Sequence, residues 1–169
     1  MKKQIVFIEY IPTVYTCKIA KGLKESGKYE TVLISFNNIN KKEFSMSFDK
    51  IINFKISHKF DFKIFLSLIK KIFGKERRNF LEETKSLNPY LVQITGPDLF
   101  TMLSFFFIKK KVPKIYFPYD IWAFYKKKMS IEDLDIEGLL IRGAYQRIFE
   151  RICFKMADGI LHKGHKEEL

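Results

Sequence analysis

Hydrophobic positions in this chain come in short unbroken runs separated by longer stretches in which they recur every three or four residues. The first run, Ile5-Val6-Phe7-Ile8, turns polar at Glu9 and Tyr10 and is broken by Pro12. Thr13 or Thr16 can cap the helix that follows, because a threonine oxygen accepts an orphan N–H of the first turn. Thr16, Ile19, Ala20 and Leu23 then fall at helical spacing, and Gly27 closes the helix. A strand with no polar alternation is one buried on both faces, the signature of a parallel sheet. Strand, tight turn and amphipathic helix together make the opening unit of a βαβ layer.

The same grammar continues. Thr31 to Phe36 is β-branched and apolar and predicts a second strand; Asn37, Asn38 and Asn40 predict a loop. Lys50 to Ile56 alternates, which suits a strand at a sheet edge. Asp61 can cap a helix whose face carries Phe62, Phe65, Leu66, Ile69, Ile72 and Phe73, and a second helical piece with Phe80, Leu81, Thr84 and Leu87 runs on to Asn88-Pro89. Tyr90 to Thr95 predicts a fourth strand. Leu99 to Ile108 predicts a helix apolar nearly all round, ending in three lysines that suit the negative pole of its dipole. Lys114 to Phe117 predicts a fifth strand, Ile141 to Met156 a long helix, and Ile160-Leu161 a short sixth strand. The expected architecture is one α/β domain over residues 1–169, an open, mostly parallel Rossmann-like sheet of about six strands with helices on both faces. In such sheets ligands sit beyond the carboxyl ends of the strands, where strand order reverses, and the first strand usually flanks that reversal.

Composition narrows the partners. The net charge is +12, carried mostly by scattered lysines, with 47% apolar and 16% aromatic residues. Nucleic-acid binders more often cluster arginine and interleave exposed aromatics, so a solvated or membrane-facing basic surface is the preferred reading. Cys17 and Cys153 read as buried free thiols in a reducing compartment. No cysteine–histidine cluster has metal spacing, and no metal site is expected. The charged start at Lys2-Lys3 is followed by too short an apolar run for a signal peptide, and the Leu99–Ile108 window is about ten residues against the ~20 a spanning helix needs.

No Gly-x-Gly-x-x-Gly follows the first strand, and neither a Gly-Lys-Ser/Thr phosphate loop nor a Gly-x-Ser-x-Gly elbow occurs anywhere. Dinucleotide enzymes, nucleoside triphosphatases and serine hydrolases of the usual kinds are thereby disfavoured. What remains is a set of polar and aromatic residues at strand carboxyl ends: Glu9, Tyr10, Pro12 and Thr13; Gly96 and Asp98; Tyr119, Asp120 and Trp122; and His162. Any one of them is an ordinary turn or cap residue. Together they offer aromatic faces beside carboxylates that accept paired hydroxyls, a combination suited to carbohydrate.

Three passages resemble a known family. Asn88 to Pro97 is similar to a "Pro-Asp, apolar strand, small residue" segment, Val112 to Asp120 to an "Ile-Pro, strand, His-Asp" segment, and Glu150 to Leu169 to a "Glu, apolar helix, Ala-Asp, strand, small polar residue, helix" segment. The family is that of GT-B glycosyltransferases, group-1 or family-4-like, and the likeness is to their N-terminal, acceptor-side domain. It implies transfer of a sugar from a nucleotide-sugar to a glycan or lipid-linked acceptor across a cleft between two Rossmann domains. Asp120 and Tyr119, the latter standing where the family has histidine, are the catalytic candidates, and the other rim residues would hold the acceptor. No cofactor is expected in this domain, since the nucleotide-sugar donor would be held by a C-terminal donor-binding domain that these residues do not include. The family also implies a cytoplasmic protein, peripheral on an anionic inner membrane face. A non-enzymatic α/β binding module is the competing reading, with a nucleic-acid-binding domain behind it.

Overall fold

A computed structural model describes residues 2–37, 39–54, 75–96, 104–106, 108–109, 111–118 and 150–161. Its strands are β1 (Lys3–Glu9), β2 (Tyr29–Ser35), β3 (Lys50–Asn53), β4 (Pro89–Gly96), β5 (Lys114–Pro118) and β6 (Gly159–Ile160). They form one six-stranded sheet in the order β3-β2-β1-β4-β5-β6. Every pairing is parallel. This is an open α/β Rossmann-like sheet, and its order reverses between β1 and β4.

Register explains the unbroken apolar runs. Ile52, Ile34, Ile8, Ile94, Tyr116 and Ile160 line up across the sheet from β3 to β6. Those side chains from Ile52 to Tyr116 are buried and belong to the core on one face, with Val6, Val32, Val92, Phe36, Phe80, Phe105 and Cys153. Alternate residues Ile5, Phe7 and Leu33 build a second core on the other face with Ala20 and Phe48. Both faces of β1 are therefore apolar, so its sequence cannot alternate.

Helix α1 (Val14–Glu25) starts at Thr13, whose side chain accepts from Thr16 N, so Thr13 is the cap and Thr16 a buried residue of the first turn. Gly27 ends it at φ 71, a conformation that costs glycine nothing. The helical piece expected before β4 is α3 (Lys75–Thr84), and residues 150–156 are helical ahead of β6. In the crossover between β2 and β3, where the asparagines predict only loop, Asn40 caps a single helical turn, α2 (Lys41–Phe44), by accepting from Lys42 N at 3.2 Å. Parallel neighbours need a crossover of about a dozen residues, and this turn folds its slack against the sheet. β3 ends at Asn53, its fourth residue, short of the expected Ile56. The helix expected over 62–73 lies outside the described residues, as does most of that expected over 99–108; Ser104 to Phe106 are helical. Among the described residues no helix is long and apolar enough to cross a membrane.

Candidate functional site at the carboxyl rim

One residue above the isoleucine row the sheet changes character. Asn53 pairs in register with Ser35 and Ser35 with Glu9, while Thr95 follows Ile94 on β4. These side chains point to the α1 face, because successive residues of a strand alternate. The result is a polar ledge under the first turn of α1, spanning the point of reversal.

Glu9 is its centre. The side chain is fully buried, yet its carboxylate is well supplied with donors. Thr13 N donates to Oε2 at 3.0 Å. The Thr95 hydroxyl donates to Oε1 at 2.6 Å, and the Thr16 hydroxyl donates to the same oxygen. Thr13 Oγ1 in turn donates to Thr16 Oγ1 at 3.0 Å and accepts from Thr16 N at 3.1 Å. A buried carboxylate is tolerable only with such partners. Here it also sits at the positive pole of the α1 dipole, where negative charge is favoured. Glu9 thus fills with the protein's own anion the position that a glycine-rich loop leaves open for phosphate. Its carboxylate faces inward, and it shapes the rim by fixing Thr13 and the start of α1.

The other described candidates stand around it. Pro12 is buried and Tyr10 is half-buried against the Phe36–Phe80 side of the core. Ser35 Oγ donates to the Tyr10 carbonyl at 2.8 Å, and Phe36 N donates to the Glu9 carbonyl at 3.2 Å, so the turn after β1 is tied to the end of β2. Gly96 closes β4 beside β5. A Cβ placed on it would lie 2.7 Å from the Tyr116 hydroxyl, so the glycine is required by packing within the sheet. Tyr116 is itself held edge-on between Phe105 and Phe154. Asp98, Tyr119, Asp120, Trp122 and His162 lie outside the described residues. In the chain, Tyr119 directly follows Pro118, the last residue of β5, and Asp98 comes two residues after the end of β4.

Sequence reasoning missed Thr95, Ser35 and Gln93, and took Thr16 as a possible cap rather than a partner of Glu9. The signal for the three strand residues was present: each is a polar residue inside an otherwise apolar strand, buried here and hydrogen-bonded. It also missed the exposed apolar edge of the rim, where Ile11, Val14 and Tyr15 are 46%, 68% and 48% exposed. Cys17, one turn into α1, is half-buried and free. Burial, and then the Glu9 charge, push its thiol up, which keeps it protonated and a poor nucleophile at neutral pH. Cys153 is buried and forms no disulfide. Among the described residues no three potential ligands gather as a metal site would require.

The fold has relatives of known structure. A UDP-N-acetylglucosamine 2-epimerase, a protein with a GT-B-like fold, superposes with a TM-score of 0.50 at 15% identity, over 96% of this chain and 41% of that one. A protein of unknown function from Vibrio parahaemolyticus covers 94% of its own length and 96% of this chain at 12% identity, but with a TM-score of only 0.35. No family model matches the sequence, and no curated protein matches it. At this identity the first likeness establishes the fold: the chain is a GT-B-like Rossmann domain spanning about two-fifths of the epimerase's length.

Proposed function

We propose that this domain is the acceptor-binding half of a glycosyltransferase, which moves a sugar from a nucleotide-sugar to a glycan or lipid-linked acceptor. The observation that carries the reading is the reversal of strand order between β1 and β4. It sets the ends of β1, β4 and β5 side by side, and the chain leaves β5 directly into Tyr119-Asp120. A crevice at such a reversal is where open α/β sheets take their ligands. The GT-B-like fold of a sugar-nucleotide enzyme supports carbohydrate chemistry at this rim.

In this reading the acceptor lies against Tyr10, Pro12, Thr13 and Gly96, with Asp98, Trp122 and His162 completing its cradle. Asp120, oriented by Tyr119, takes the proton of the acceptor hydroxyl as its oxygen bonds to the anomeric carbon. The bond from that carbon to the diphosphate breaks, and the nucleoside diphosphate departs with the electron pair. A second Rossmann-like domain holds the donor. The net charge of +12 suits work at an anionic inner membrane face, where each lysine near the surface contributes about 1 kcal/mol.

A second reading is a sugar-nucleotide-modifying enzyme that uses no acceptor, favoured by the likeness to the epimerase. Incubating the protein together with its donor-binding domain and a panel of nucleotide-sugars separates the two. Transfer releases nucleoside diphosphate only when acceptor is added, whereas modification changes the sugar without release. With the transfer substrate identified, Asp120→Asn is expected to lower kcat at least ~100-fold, the scale of a lost general base. Rates within a few-fold of wild type would remove Asp120 from the mechanism.

A further inference from the structure

On the sheet face opposite the Glu9 ledge lies a cavity of about 220 Å³. It is lined by Ile34, Val92, Phe80 and Ile108 among other apolar residues, and by two exposed lysines, Lys85 and Lys109. It runs from Ile8 and Ile34, one residue below the rim, past Val6 and Val92 to Asn88 and Pro89 at the amino end of β4, on the face of the sheet that the Glu9 ledge does not occupy.

Two features of this space are out of keeping with ordinary packing. Protein cores are filled to crystal density, and an apolar hollow beside the core leaves its lining without those close contacts. The two exposed lysines in its lining are also notable. The ion pairs among the described residues are Lys21–Glu25 and Lys24–Asp49, and neither involves Lys85 or Lys109. Glu82 and Glu83, on the same helix as Phe80, do not line the cavity. A mostly apolar lining that includes two exposed cations is complementary to an aliphatic chain bearing an anionic head.

We propose that this cavity binds a medium-chain anionic amphiphile, with its chain against Ile34 and Val92 and its carboxylate or phosphate between Lys85 and Lys109. A cavity of about 150 Å³ with such a lining accommodates benzene, so this one suits a chain of roughly eight carbons. The site does not depend on the transfer reading and would serve any protein built on this fold.

Octanoate and octyl phosphate, kept below their micellar concentrations, are the probes, with octanol and acetate as controls. Saturable stabilisation of the full chain by either probe is expected in thermal unfolding, because a ligand of the native state raises Tm with its concentration. Octanoate and octyl phosphate together distinguish a carboxylate from a phosphate source. Acetate should do nothing, and octanol should bind at least about tenfold more weakly. Lys85→Glu with Lys109→Glu, both at exposed positions, should weaken octanoate about tenfold and leave octanol unchanged. Val112→Phe, which fills the cavity from its wall, should abolish both. Absence of saturation, or affinities for octanoate untouched by the charge reversals, overturns the proposal, and the charge reversals decide it even if Val112→Phe fails to fold.

Discussion

The contact between Gly96 and Tyr116 shows how one side chain dictates another across the sheet. Tyr116 is fully buried, and its ring leans over the β4 terminus so closely that a methyl group on Gly96 would meet the hydroxyl at 2.7 Å and the ring at 3.0 Å. The ring cannot swing aside, because Phe105 and Phe154 hold it at centroid distances of 5.9 and 5.3 Å. Gly96→Ala is therefore expected to destabilise the domain by about 2 kcal/mol, the usual cost of overpacking. Tyr116→Phe removes the nearer of the clashing atoms. In the double variant the alanine should cost less than it does alone, a coupling of about 1 kcal/mol that a double-mutant cycle in urea would read. Simple additivity would mean that the glycine is there for some other neighbour. The sequence could suggest a glycine at a strand end beside a ligand. It could not suggest this reason, because the partner lies on another strand.

Among the elements, the crossover from β2 to β3 depends most on a single carboxylate. Asp49 accepts from Thr31 N at 2.9 Å and from the Thr31 hydroxyl at 3.1 Å, and Lys24 of α1 lies 3.5 Å from its other oxygen. Partial burial works against the charged form, but those hydrogen bonds and the lysine outweigh it and hold the carboxyl below its usual range. A lowered carboxylate pKa stabilises the fold above the unfolded value of about 3.9, and that contribution is lost as pH falls through the native value. Asp49→Asn should thus lower the urea midpoint at pH 6 by about 0.5 M, and the gap should narrow as pH falls below about 3.9. A gap that stays constant as the pH falls through that range would show that shape, not charge, holds the crossover. Elements such as α1 and the strands were legible because local signals agreed: caps, glycines and periodicity all pointed the same way. α2 was not, because a single turn has no period, and its cap, Asn40, looks in sequence like one more loop asparagine. The Glu9 ledge was half legible. Glu9 stands at the predicted place, but its partners Thr16 and Thr95 come from α1 and β4, and only the parallel register brings them together.

At the scale of the whole molecule, the rim inherits the stability gradient of the sheet. β1 and β4 each have a strand on both sides, and their inner residues Ile5 to Ile8 and Val92 to Ile94 are buried. β3 and β6 form the edges, and β6 is two residues long with Ile160 54% exposed. Opening an edge strand breaks one ladder and exposes little apolar surface, whereas opening β1 or β4 breaks two and uncovers both cores. Native-state hydrogen exchange should therefore find the slowest amides in β1 and β4, with β6 at least about 100-fold faster. Glu9 and Thr95 sit at the ends of the two slow strands, so the rim around them is framed by the part of the molecule that opens least. The acceptor site proposed there would require that rigidity, since a displacement of about 1 Å at a reacting hydroxyl can cost ~100-fold in rate. Comparable exchange in β1 and β6 would deny the rim its rigid base, and with it the physical ground for placing chemistry there.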